Sequence, residues 1–125
     1  YKVVNITDAV SHSTCAAAFD LGAKAIITVS QSGYTARKVS RFRPECVIIA
    51  ATTSHKAYNQ LALNWGVMPC MAEVQTTSDA LFTHAARCAL KTGLVSEGDL
   101  VVLTGSSAVG KSGNSNTMRI EKIHY

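Results

Sequence analysis

Apolar residues fall along this chain in two rhythms. Some recur every three to four positions, the period of a helix; others form short unbroken runs rich in β-branched residues, as in strands buried on both faces. Val10, Thr14, Ala17, Ala18 and Leu21 share one helical face, with Thr7 and Asp8 available as caps and Gly22 placed to end the helix. Ala25 to Val29 (AIITV) then reads as a strand. After Ser30 to Gly33, a helix is predicted from Tyr34 to Phe42, with Ala36, Val39 and Phe42 inward, and Pro44 stops it. Val47 to Ala50 is a second strand, Ser54 to Asn64 a second crossover helix burying Ala57, Leu61 and Trp65, and Val67 to Met71 a third strand. Ser78 caps the longest helix, which runs to about Thr92 with Leu81, Ala85, Cys88 and Ala89 inward and Gly93 at its end. Leu100 to Thr104 is the fourth strand, and Thr117 to Ile123 alternates as an edge strand does, through Met118, Ile120 and Ile123.

Strand–helix–strand three times over implies a mostly parallel sheet with right-handed crossovers and helices on both faces. The last connection holds no helix, so the fifth strand should return antiparallel as a hairpin. The expected architecture is α/β: a three-layer sandwich around a five-stranded sheet, with residues 1–125 forming one domain. No repeat, low-complexity tract or linker interrupts it. The chain opens at Tyr1 rather than at methionine, as a piece of something longer would.

Composition narrows the function classes. Hydrophobic residues at 47% and charged ones at 16% exclude a disordered segment. No run approaches the ~20 apolar residues of a membrane-spanning helix. A net charge of +4 suits a phosphate ligand but not nucleic acid, and aromatic residues at 6% offer no platform for stacked bases. Cys15, Cys46, Cys70 and Cys88 include no C-x-x-C pair, and the histidines show no H-x-x-x-H spacing, which argues against zinc. Scattered reduced thiols and no leader peptide point to a cytoplasmic protein.

Ligands of open parallel sheets gather beyond the carboxyl ends of the strands. The first such loop here, Ser30, Gln31, Ser32, Gly33, Tyr34 and Thr35, offers hydroxyls, a glycine and the amides of a helix start. That is the chemistry of an anion site for a phosphate, although Ser32 or Thr35 serving only as a helix cap fits the same letters. Arg37 and Arg41, one turn apart, are secondary basic candidates, or simply part of a solvated face.

The second loop reads Gly105-Ser-Ser-Ala-Val-Gly110-Lys111-Ser112 and satisfies G-x-x-x-x-G-K-[ST] after a strand. A triphosphate site also needs a helix starting at Lys111 and an acidic magnesium partner at a strand end. Gly113-Asn114-Ser115-Asn116 is a turn-forming run, and no predicted strand ends in Asp or Glu. Gly110, Lys111, Ser112 and Gly113 therefore read as a flexible loop able to close over an anion. Asp8, Asp20, Glu45, Glu73, Asp79, Glu97, Asp99 and Glu121 stand singly, mostly at helix starts or before strands, and no catalytic constellation is legible.

Asp20-Leu21-Gly22-Ala23-Lys24-Ala25-Ile26-Ile27, Ser32-Gly33-Tyr34-Thr35-Ala36 and Ser40-Arg41-Phe42-Arg43-Pro44 carry a further signal. With Leu61-Ala62-Leu63-Asn64-Trp65-Gly66-Val67, Gly98-Asp99-Leu100-Val101-Val102 and Asn116-Thr117-Met118-Arg119 in this order, the chain resembles the C-terminal domain of bacterial pyruvate kinases. The resemblance covers Asp8 to Ile123.

It implies a regulatory and assembly domain of a glycolytic phosphotransferase. In that family, phosphoryl transfer from phosphoenolpyruvate to ADP takes place in a separate barrel under a lid domain, which also hold Mg2+ and K+. This chain holds neither barrel nor lid, so no catalytic residue, metal or cofactor is expected in it. The family's C-terminal domain binds a phosphorylated allosteric effector and contributes a subunit interface of a homotetramer. By resemblance the phosphate lies against Ser30 to Thr35, and the loop carrying Gly110 to Gly113 closes over it. Eukaryotic members hold a second phosphate with a Trp and an Arg between the third strand and the long helix; Ala72 to Thr77 contains neither. Gln31 also stands where those members carry Lys, and Lys111 is the available replacement. AMP or a sugar monophosphate is therefore the expected effector rather than fructose 1,6-bisphosphate.

Overall fold

The computed structural model describes residues 6–29, 34–42, 44–52, 54–64, 66–71, 78–105 and 117–123. The chain runs α1 (Ile6–Leu21), β1 (Ala25–Val29), α2 (Tyr34–Arg41), β2 (Val47–Thr52) and α3 (His55–Leu61). It continues through β3 (Val67–Met71), α4 (Ser78–Thr92), β4 (Leu100–Gly105) and β5 (Thr117–Lys122). The strands lie in the order β3-β2-β1-β4-β5, all parallel except β5, which returns antiparallel along β4. The expected three-layer α/β architecture is the one observed.

The two faces of the sheet carry separate cores. Ile26, Ile48, Ala50 and Val102 point toward α1, α2 and α3, where Ala18, Ala36, Val39 and Leu61 cover them. Ile27, Val29, Ile49, Ala51, Val101 and Leu103 point the other way, against Phe82, Ala85 and Ala89 of α4, and Ile123 joins this cluster. A strand with apolar residues on both faces has no polar side to alternate with, which is why β1 is buried at every position. Gly22 has φ +63°, the left-handed conformation that closes a helix without a Cβ clash. Ala23 N–H then donates to Ala18 O at 2.9 Å and turns the chain into β1.

Several local expectations need correction. The buried stripe of α1 is Ser11, Thr14 and Ala18, whereas Phe19 and Leu21 are 69% and 49% exposed. Small residues let the helix backbone approach the sheet, and the large apolar side chains turn outward. On α4, Ala85, Cys88 and Ala89 are buried as expected and Phe82 is buried with them; the side chain of Leu81 lies outside the described residues, as does Trp65. The helix predicted from Ser54 to Asn64 is shorter. Its cap is Ser54, whose Oγ accepts from Ala57 N–H at 3.2 Å, and past Leu61 it tightens into Leu63 N–H to Gln60 O and Asn64 N–H to Leu61 O contacts. α2 closes in the same way, one residue before the predicted Phe42, with Phe42 N–H donating to Val39 O at 3.1 Å. On β5, Ile120 is 45% exposed, and Ile123, expected as its last residue, lies just beyond the strand, where it is buried and its N–H donates to Asp99 O at 2.9 Å.

Candidate functional site

Two strand ends meet where the sheet changes direction. From β1 the chain winds outward through α2, β2, α3 and β3; α4 then crosses the opposite face and delivers β4 to the other side of β1. The switch point of this doubly wound sheet therefore lies between β1 and β4, and at such points open α/β sheets bind their ligands beyond the carboxyl ends of the strands. The register is specific: Val29, the last residue of β1, is paired with Gly105, the last of β4. The chain leaves these two partners into residues 30–33 on one side and 106–116 on the other. The two loops singled out in the sequence thus depart from adjacent points.

Ser30, Gln31, Ser32 and Gly33 lie outside the described residues, as do Gly110, Lys111, Ser112 and Gly113. Tyr34 and Thr35 are the first two residues of α2, so the positive end of that helix points back toward the carboxyl ends of the strands. Arg37 is half-buried in α2; Arg41, exposed, is its last residue, about 10 Å along the axis from its start at 1.5 Å per residue.

The sequence reading missed several buried polar residues. Thr28 and Thr104 are register partners on the face covered by α1, α2 and α3, and both are buried. Thr52, buried at the end of β2, accepts from Ser54 N–H at 3.2 Å. Ser11 on α1 is fully buried, and its hydroxyl makes no hydrogen bond. The visible signal is a threonine at or next to the end of each of these strands, in AIITV, VIIAAT and LVVLTG.

A cavity of about 670 Å³ opens at the opposite end of the sheet, between α1 and the segments that enter β1 and β2. His12, Cys15, Phe19, Lys24, Phe42 and Cys46 line it, with the His12 and Phe42 rings edge to face at 5.6 Å. Burial pushes the Cys15 thiol up to about 11, with Cys46 adding to the rise, and burial also raises Cys46. Burial thus favours the protonated form of both thiols. Among the described residues, no group of three or more His, Cys, Asp or Glu side chains could hold a metal ion. Asp99, one of the scattered acids, accepts from Ser96 N–H at 2.7 Å in the turn before β4, a structural role.

The fold and the adjacent strand ends define a class: a doubly wound α/β domain whose β1 and β4 end side by side at the switch point of the sheet. Within that class, the chain belongs to the pyruvate kinase family, because the family described as "Pyruvate kinase, alpha/beta domain" matches residues 8–121. A pyruvate kinase of Lactobacillus delbrueckii subsp. bulgaricus is 40% identical over 123 residues, 98% of this chain and 21% of that protein. Those of Clostridium acetobutylicum and Staphylococcus epidermidis are each 40% identical over 119 residues, 95% of this chain. The chain spans 25% and 20% of these two proteins.

Proposed function

We propose that this chain is a regulatory and assembly domain of a pyruvate kinase, which takes up a phosphorylated effector at the β1–α2 junction. The observation that carries the reading is the register of Val29 with Gly105, with α2 beginning at Tyr34. It sets two loop departures side by side at a helix N-terminus, the geometry in which backbone amides and a helix dipole hold an anion. In this reading Ser30 to Thr35 hold the phosphate, and the loop with Gly110 to Gly113 closes over it, Lys111 adding charge. AMP, ribose 5-phosphate or glucose 6-phosphate fits better than fructose 1,6-bisphosphate, because Ala72 to Thr77 carries no basic or aromatic residue for a second phosphate. The parent enzyme, cytoplasmic and glycolytic, would transfer phosphoryl from phosphoenolpyruvate to ADP with Mg2+ and K+ bound in its barrel.

Assembly is assigned to α1 and β5. Phe19 and Leu21 on α1 and Ile120 on β5 are exposed large apolar residues, and β5 is an open sheet edge. A two-fold contact through such a patch would couple effector uptake to subunit packing, at the 1–3 kcal/mol typical of allosteric coupling.

Calorimetric titration with AMP, ribose 5-phosphate, glucose 6-phosphate, fructose 1,6-bisphosphate and Mg-ATP tests the binding role. A monophosphate should bind, and Ser32→Asp should abolish the heat signal by setting a carboxylate against the phosphate while leaving the melting temperature in place. Binding of Mg-ATP alone, intact in Ser32→Asp and lost in Lys111→Ala, would instead establish a nucleotide site in the second loop.

A further inference from the structure

Two of the four cysteines converge on one backbone atom. Cys70, on edge strand β3, and Cys88, on α4, both direct their sulfurs at the carbonyl of Met71, at 3.9 and 3.6 Å. Cys70 faces α4 because its register partner is Ala51, whose side of the sheet α4 covers. Cys88 is buried and Cys70 half-buried, and both are free thiols. One helical turn before Cys88, the Nε2 of His84 lies 3.7 Å from the Cys88 sulfur.

We propose that Cys70 and Cys88 form a dithiol site that a peroxide converts reversibly to a disulfide, fastening β3 to α4. The chemistry follows from the three side chains. The Cys88 proton passes to the His84 ring nitrogen, and the thiolate attacks one peroxide oxygen as the O–O bond breaks. The departing oxygen leaves as water with that proton, and Cys88 is left as a sulfenic acid. The Cys70 sulfur then attacks the Cys88 sulfur; the S–O bond breaks, and the second oxygen leaves as water with the Cys70 proton. Two thiols have lost two electrons, and one peroxide has become two waters. Burial holds Cys70 up at about 12, with Cys88 beside it adding to the rise and Lys91 opposing it. Cys70 is therefore the resolving partner, its proton passing to the departing hydroxide as its sulfur attacks. The new bond closes a loop through residues 71–87 at an edge of the sheet that nothing else ties covalently.

The test is peroxide treatment of the natively folded, reduced chain, followed by alkylation under denaturing conditions and peptide mass spectrometry. The expected product is a Cys70–Cys88 cross-linked peptide pair, two hydrogens lighter than the reduced peptides, restored by dithiothreitol, with Cys15 and Cys46 alkylated. The melting temperature should rise on oxidation, and this rise should persist in Cys15→Ser/Cys46→Ser and vanish in Cys70→Ser. His84→Gln should slow cross-linking without changing the melting temperature of the reduced chain. Full alkylation of both Cys70 and Cys88, pairing of either with another cysteine, or over-oxidation of one to a sulfonic acid overturns the assignment. An unchanged rate in His84→Gln removes the histidine from the scheme.

Discussion

Ser11 illustrates what a single buried hydroxyl does in this domain. Its neighbour Thr14 donates to Val10 O at 2.7 Å, the back-bond open to hydroxyls in a helix, but Ser11 is fully buried and makes no hydrogen bond. Burying an unpaired hydroxyl is unfavourable, so Ser11→Ala should stabilise the fold by about 1 kcal/mol, read from the urea midpoint. A loss of stability would mean that the hydroxyl is hydrogen-bonded in solution. At this scale the sequence was a partial guide. It placed Ala36, Val39, Ala57 and Leu61 inward, and all four are buried. On α1 it placed Thr14 and Ala18 inward, and both are buried, but it missed Ser11 and set Leu21 on the same face, because hydrophobicity favours Leu21 while close packing favours small side chains. The choice depends on how near the helix must come to β4, a distance that no local spacing encodes.

Elements were more legible than their ends. The strands announce themselves as β-branched runs because both faces of a central parallel strand are buried. Helix ends depend on single hydrogen bonds. α3 has only seven residues, and Ser54 satisfies one of its first amides. Ser54→Ala should therefore cost about 1 kcal/mol, measured by thermal denaturation, since so short a helix draws little on its own cooperativity. The chain also carries a threonine at or beside three strand ends, and only the register shows that Thr28 and Thr104 are neighbours.

For the whole molecule, the raised thiols give a pH signature. Unfolded thiols titrate near 9.0, whereas Cys15 is held at about 11 and Cys70 at about 12. Below 9.0 both states are protonated and this stabilisation is fully present. As pH climbs from there the unfolded chain ionises first, so stability falls through the window up to about 11 and 12. Urea midpoints measured across that range should drop, and Cys15→Ser or Cys70→Ser should each flatten the fall. Assembly is tested at the same scale: Phe19→Asp and Ile120→Lys should lower the mass seen by sedimentation while leaving the circular dichroism unchanged. The amino-acid sequence alone determined the order of elements, the parallel sheet with its antiparallel last strand and the kinship with pyruvate kinases, because burial periodicity and short segments carry that information locally. Only the tertiary structure decided that β1 and β4 stand side by side with Val29 opposite Gly105, which thiols share the Met71 carbonyl and which apolar side chains are left facing out. Those are contacts between residues far apart in the chain, fixed by strand order and by the face each helix covers, and neither is written in any local pattern.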